Sequence, residues 1–304
     1  MLRVITDSTV SLPADMVEEY GIEELSLFVH KDGVDHVESE MDLDEFYQDI
    51  YGMVDNIPTS SQPALGLIEA RFEEAAKAGD EVLAIILSGK LSGTVETFAN
   101  VAKRVTEKYP DFKCSVIDSL TTCLEEGWPV IAGAVARNAG YGLDECRKKV
   151  LESMHSTRFI FAPESLRFLE AGGRIGKASA LIGNILNISP VLTVKDGFAT
   201  TYGKVRTQKK AMAKMVNVFK DDIKACGLKN IVVHYIGSKD LAEKWAREDV
   251  EPLVGEKVRV LPASPVIGVH VGPAVGLAYE CCKPLPGKFS EGTTLELYTS
   301  CPAS

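Results

Sequence analysis

Val82-Leu83-Ala84-Ile85-Ile86-Leu87-Ser88-Gly89-Lys90-Leu91-Ser92-Gly93-Thr94 is the stretch on which the fold reading turns. An unbroken apolar run of this length suits a strand buried on both faces, and such strands belong to parallel sheets covered by helices. The run stops in a hydroxyl-rich turn, and Thr94 to Tyr109 then reads as a helix. The same alternation extends on both sides. Leu2 to Thr6 is a strand, Pro13 to Tyr20 a helix and Glu24 to His30 a second strand. Asp32-Gly33 is a hairpin signal leading into Val34 to Val37. Asp42 to Tyr51 (capped by Asp42) and Leu65 to Ala78 read as helices, Cys114 to Ile117 as a strand, and Glu126 to Asn138 and Leu143 to His155 as helices. Strands spaced by helices specify the α/β class, with a parallel sheet and helices on both faces, over residues 1–155. Open sheets of this kind bind ligands beyond the strand C-ends, where Asp7-Ser8-Thr9, Ser88 and Asp118-Ser119 stand.

From residue 156 the pattern changes. Arg158 to Phe161 is a strand, Ser165 to Leu169 a helical turn, and Gly172-Gly173-Arg174-Ile175-Gly176 a glycine-rich turn before an apolar stretch from Ala178 to Ile188. Asp196-Gly197 joins Pro190 to Val194 and Phe198 to Tyr202 as a hairpin. Gln208 to Cys226 is a long amphipathic helix, Asn230 to Ile236 a strand, Lys239 to Asp249 a helix and Lys257 to Leu261 a strand. Hairpins mixed with helices predict an α+β domain over residues 156–304. The tail from Thr299 to Ser304 is expected to fray.

Composition narrows the function classes. The 304 residues carry a net charge of −10. That balance disfavours nucleic acid, which demands basic patches. No apolar run approaches the roughly 20 residues of a membrane span, so integral membrane association is not expected, and a cytoplasmic location is the default. The seven cysteines, Cys114, Cys123, Cys146, Cys226, Cys281, Cys282 and Cys301, contain no C-x-x-C pair and read as reduced thiols. His30, His36, His155, His234 and His270 show no metal-ligand spacing.

Two hydroxyl turns point to a ligand: Pro58-Thr59-Ser60-Ser61-Gln62-Pro63 and Ser88-Gly89-Lys90-Leu91-Ser92-Gly93-Thr94. Each is read as opening a helix, whose N-terminus presents unpaired N–H groups and partial positive charge. Serine and threonine hydroxyls add donors without a full charge. Each turn alone reads as ordinary capping. Paired, and joined by Gly268-Val269-His270-Val271-Gly272-Pro273 far downstream, they suggest a receptor for a small anionic headgroup.

Taken in order, several segments resemble the DegV family, fatty-acid-binding proteins that include the binding subunit of the bacterial fatty acid kinase system. They are Ile5-Thr6-Asp7-Ser8-Thr9, the P-T-S-S-Q-P run at Pro58, L-S-G-T at Leu91, L-R-F-L-E-A-G-G-R-I-G at Leu166, G-K-V-R-T at Gly203 and I-G-V-H-V-G-P at Ile267. The resemblance covers nearly the whole chain. It implies a two-domain protein, with the ligand at the domain junction, that buries one long-chain fatty acid and presents its carboxylate to a partner fatty acid kinase for acyl-phosphate formation. The chain itself would then be a carrier and not an enzyme, with the fatty acid as ligand and no cofactor. Carried over, Ser60, Ser92 and His270 surround the carboxylate, with Gly93 and Thr94 completing the second turn, although the Thr94 and Ser61 hydroxyls also read as caps. Arg174 and Arg206 fall on the phosphate or partner side. The sequence departs from the family pattern at Ser88-Gly89 and at Leu120 to Gly127, where Cys123 and Glu125 are bulky for a site edge. Apolar residues of the second domain, Phe159-Ile160-Phe161, Phe168, Leu169 and Ala180 to Leu186, are candidates for the tail pocket, although each by itself reads as ordinary core.

Two other readings compete. Ser92 invites a serine-dependent acyl or phosphoryl hydrolase, with His270 as base and Asp118 or Asp7 as orienter. A lipid-responsive regulatory protein would use the same pocket without chemistry.

Overall fold

The computed structural model describes residues 1–181 and 188–300. Its strands are β1 (Leu2–Asp7), β2 (Glu23–Leu25), β3 (Phe28–Lys31), β4 (Val34–Val37), β5 (Thr59–Ser61), β6 (Glu81–Ile86), β7 (Cys114–Asp118), β8 (Thr157–Pro163), β9 (Ser189–Lys195), β10 (Phe198–Val205), β11 (Leu228–Ile236), β12 (Arg259–Pro262), β13 (Ala274–Cys281) and β14 (Glu296–Thr299). The helices are α1 (Ala14–Tyr20), α2 (Leu43–Asp49), α3 (Leu65–Ala78), α4 (Thr94–Lys108), α5 (Cys123–Asn138), α6 (Leu143–Met154), α7 (Arg167–Ala171), α8 (Gln208–Cys226), α9 (Lys239–Trp245), α10 (Glu251–Val254) and α11 (Pro265–Val271).

The first sheet has the order β14-β7-β6-β1-β2 and is parallel except for β14. Its central strand β6 explains the apolar run. Val82, Ala84 and Ile86 face Phe72 and Phe98 of α3 and α4, while Leu83 and Ile85 join the larger core that includes Trp128 of α5 and Val150 of α6. Successive residues point to opposite faces, so a strand covered on both sides must be apolar throughout. The second sheet, β10-β9-β8-β13-β11-β12, is antiparallel except for the β11–β12 pair. A small third sheet, β4-β3-β5, lies beside α11. The larger core runs from Leu83 and Trp128 to Phe159, Phe161 and Leu277, joining the two main layers. This is an α/β architecture with a parallel sheet, a mixed second sheet and helices on both faces of the first.

Several expectations change on contact with the fold. The proposed strand from Glu24 to His30 is two strands in different sheets, because Leu27 turns its N–H to the Ser8 Oγ at 2.9 Å instead of continuing a ladder. The turn at Pro58 does not open a helix. Thr59–Ser61 pairs with β3, Val29 opposite Ser60, and α3 starts at Leu65 with no side-chain cap. His270 lies in helix α11 and not in a tight turn, which comes two residues later at Gly272. β14 belongs to the first sheet although it lies in residues 156–304. Thr299 is held there, and the Ser300 N–H donates to the Cys114 carbonyl at 3.0 Å. Residues 301–304, Cys301 included, lie outside the described residues. So does most of the apolar stretch proposed at Ala180 to Leu186. Cys114, Cys123, Cys146, Cys226 and Cys281 are buried and Cys282 is exposed.

Gly272 has a φ of 70°, and a Cβ there would stand 2.3 Å from Cδ2 of the buried Phe168 ring. Gly33, in the Asp32-Gly33 turn, has a φ of 78° but open space around the missing Cβ. Gly33→Ala should therefore cost about 1 kcal/mol from backbone strain alone, and Gly272→Ala about 2–4 kcal/mol once overpacking is added. Urea unfolding midpoints of the two variants check the difference; equal losses would contradict this account of the α11 terminus.

Candidate functional site

Ser264-Pro265 begins α11: the Ser264 Oγ accepts from the Ile267 N–H at 3.4 Å, and Pro265 occupies the first turn, where no N–H is needed. The helix presents Val266, Ile267, His270 and Val271 to a cavity of about 320 Å³. β5 brings Ser60 and Ser61, followed by Gln62. The turn before α4 brings Leu91, Ser92 and Gly93. β8 supplies Phe159 and Phe161, β9 and β10 supply Val194 and Ala199, and Leu169 and Arg174 come from α7 and the turn after it. Leu27, Leu87 and Thr122 complete the wall. The cavity thus lies between the first and second sheets, with one polar rim and an apolar body.

The rim is tied together by hydrogen bonds. Ser60 Oγ and His270 Nε2 lie 2.7 Å apart, although 210 residues separate them. The Thr97 Oγ1 of α4 donates to the Gln62 Oε1 at 3.0 Å, joining the β5 segment to the α4 entry. The Ser92 Oγ accepts the Thr94 N–H at 3.3 Å and contacts the Thr94 Oγ1 at 2.8 Å. Arg174 donates through Nε to the Leu91 carbonyl at 3.0 Å and through Nη1 to the Gly172 carbonyl at 2.5 Å. Its guanidinium is thereby held along the rim.

His270 is neutral at pH 7. Burial, then the charge of Arg174, lowers its pKa from 6.5 to about 4. Its Nδ1 is buried without a hydrogen-bond partner among the described residues. Gly172 packs against it; a Cβ there would lie 2.5 Å from Nδ1 and 3.1 Å from the Phe168 carbonyl. A buried orphan lone pair costs less than an orphan N–H, so the tautomer carrying its proton on Nε2 is favoured. In that tautomer Ser60 accepts from His270, and the Ser60 O–H is free to donate into the cavity. Thr94 can do the same for Ser92 by donating to its oxygen. The outcome is a rim of aimed, uncharged donors at the N-terminal end of the fifteen-residue helix α4, beside one arginine.

The expected residues separate into groups. Ser60, Ser92, Gly93 and His270 meet on the cavity. Thr94 is buried behind Ser92. Arg174 lines the cavity itself, whereas Arg206 is exposed on the turn after β10 and does not line it. Cys123 and Glu125 are fully buried and are not part of the cavity wall, so they do not shape its edge; Thr122 does. Phe159, Phe161 and Leu169 line the wall, and Phe168 stands behind it. A Ser-His-Asp relay is not assembled. His270 faces Ser60 and not Ser92. The Asp118 carboxylate accepts from the Gly89 and Leu120 N–H groups, and Asp7 from those of Leu87 and Thr9. Among the described residues no group of three or more His, Cys, Asp or Glu stands close enough to hold a metal. No helix among them is long and apolar enough to cross a membrane.

With this geometry in view, residues 1–281 match the family described as "Uncharacterised protein, DegV family". The chain belongs to the DegV family. A DegV domain-containing protein of Clostridium perfringens is 42% identical over 284 residues, covering 91% of this chain and 98% of its own. Two solved structures share the fold. A stearic-acid-binding protein of Eubacterium ventriosum superposes with a TM-score of 0.82 at 26% identity, covering 93% of this chain and 99% of its own. A fatty-acid-binding DegV family protein of Thermus thermophilus gives 0.80 at 29%, covering 92% and 99%.

The α11 wall was within reach of the sequence. Ser264-Pro265 is a helix-start signal, and Val266, Ile267, His270 and Val271 then fall on one helical face. Read that way, His270 acquires its apolar neighbours.

The lowered His270 pKa has a consequence for stability. An imidazole with a folded pKa below its unfolded value contributes stability above pH 6.5, which is lost as pH falls toward about 4. The full effect is on the order of 3 kcal/mol. Imidazole NMR should show a titration near 4 in the native chain and an upward move in Arg174→Met. A midpoint near 6.5 in the native chain would contradict the buried, Arg174-facing placement.

Proposed function

We propose that this DegV protein binds one long-chain fatty acid in the cavity between its sheets, tail against the Phe159–Phe161 wall and carboxylate at the Ser60–Ser92–His270 rim. The observation that carries the reading is the union of an apolar cavity with hydroxyl donors oriented by a neutral histidine. The stearic-acid-binding neighbour from Eubacterium ventriosum and the fatty-acid-binding one from Thermus thermophilus support it.

The division of labour follows from magnitudes. Each buried methylene contributes about 0.8 kcal/mol, so a sixteen-carbon chain gains on the order of 12 kcal/mol before ordering costs. The carboxylate must stay hydrogen-bonded, at about 1.5–3 kcal/mol per charged-partner bond, or its desolvation erodes that gain. The tail supplies affinity and the rim sets register. Ser60 and Ser92 donate to the carboxylate oxygens, Arg174 and the α4 N-terminus supply the positive field, and His270 orients Ser60. Because Arg174 is already committed to two carbonyls, its grip on the carboxylate is partial, and an oxygen stays open to a phosphate donor. A partner fatty acid kinase then forms the acyl phosphate, with exposed Arg206 on the partner side. The chain acts as carrier, in a cytoplasmic setting.

Mass spectrometry on the extract of denatured protein should recover about one fatty acid per chain. With a fatty acid kinase and ATP added, acyl phosphate should form. Ser92→Ala, which removes one charged-partner hydrogen bond, and His270→Ala, which leaves Ser60 unoriented, should each slow that phosphorylation more than they weaken binding, by about tenfold or more. Wild-type rates in both variants contradict the headgroup assignment. Turnover of an acyl ester by the isolated protein, abolished in Ser92→Ala, would restore the hydrolase.

A further inference from the structure

The opposite end of α11 borders a second cavity of about 710 Å³, larger than the first. Leu12 and Val17 of the α1 region, Ile22, Met41, Leu43 and Leu261 give it apolar walls, and Ser264 and Pro265 place it at the α11 N-terminus. Three carboxylates line it: Glu18 is exposed on α1, while Glu38 and Glu24 stand deeper and in unlike states. Glu38 is 3% exposed and fully committed: its Oε1 accepts the Val266 N–H at 2.6 Å and its Oε2 accepts the Ser8 hydroxyl. Glu24, on β2, has neither a hydrogen-bond donor nor an ion-pair partner among the described residues. Burial, followed by the charges of Glu38 and Asp7, raises its pKa to about 7.

The surrounding charges leave that carboxylate uncompensated. Its neighbours Glu38, Asp7 and, on α1, Glu18 are themselves carboxylates and bring no positive charge. The cations nearby are spent elsewhere. Arg3 on β1 is drawn to Asp80, Glu74 and Glu23. Arg137 on α5 donates to the Tyr20 and Gly21 carbonyls, and Arg259 on β12 pairs with Asp15 at 3.2 Å. An apolar cavity with a partly buried, partnerless carboxylate repels anions. It favours an occupant with a short hydrocarbon body and a cationic donor group, which regains Coulomb energy at low dielectric and satisfies the carboxylate oxygens.

We propose that this cavity is a second ligand site, taking a small organic cation of the alkylammonium class on Glu24. The assignment rests on the cavity's own residues and not on the fatty acid reading. Glu38 and Val266 link it physically to the other site, since Val266, Ile267 and His270 of the same helix line the first cavity.

The test is titration of n-hexylammonium into the full chain at pH 8 by calorimetry, with the Val266 amide resonance followed in parallel. Saturable one-to-one binding is expected, with a shift of the Val266 amide. Glu24→Gln should weaken it at least tenfold, and so should replacing the probe by n-hexanol. Lowering the pH to 6 should weaken it about tenfold, because Glu24 takes up a proton across that interval while the amine stays charged. The unfolding midpoint of Glu24→Gln establishes that the variant is folded; if it is not, the hexanol and pH comparisons decide. Equal affinity for hexanol, undiminished binding at pH 6 or in folded Glu24→Gln, or no saturation at concentrations on the order of 10 mM would overturn the proposal.

Discussion

The contact between Ser60 and His270 is the constraint on which the site depends. It joins the edge of a three-stranded sheet to a short helix packed beneath the second sheet, and it closes the polar end of an apolar cavity. For the imidazole to reach Ser60 it must be held beside β5 and correctly rotated. Arg174 and burial keep it neutral, and Gly172 leaves room for its other nitrogen. Gly272, turning backward against Phe168, ends α11 two residues after the histidine. The glycine-rich turn at 172–176 and the G-V-H-V-G-P segment are thus two halves of one steric arrangement.

Much of the first sheet was legible in the sequence because its strands are buried on both faces. Val82 to Leu87 admits no polar residue, and the helices around it carry full amphipathic periods. The second sheet was harder. Its central strand β13, Ala-Val-Gly-Leu-Ala-Tyr-Glu-Cys, is rich in small residues because Gly276 must let Phe159 and Phe161 approach, and small residues carry little strand signal. α11 hid for a related reason, since two glycines frame its histidine and suggest a turn. β14 is short and pairs with residues far away in the chain, which no local pattern announces.

The site shows the same division. Ser60, Ser92 and His270, singled out by the hydroxyl turns together with the family resemblance, line one cavity. The first turn was assigned the wrong local structure and still the right neighbourhood, because a short strand delivers Ser60 to the cavity as well as a helix cap would. Arg174, expected on the phosphate or partner side, lines the cavity, and its two carbonyl partners at Leu91 and Gly172 become visible only in three dimensions. The wall of Val194, Ala199, Val266 and Val271 was not separable from core, because a cavity lining and a packed interior have the same composition.

A crystal structure of the protein with stearate bound tests the central claim most directly. The account predicts carboxylate oxygens within 3 Å or so of the Ser60 and Ser92 hydroxyls, with the hydrocarbon running toward Phe159 and Phe161. A carboxylate at the aromatic end, or a lipid lying outside this cavity, would contradict it.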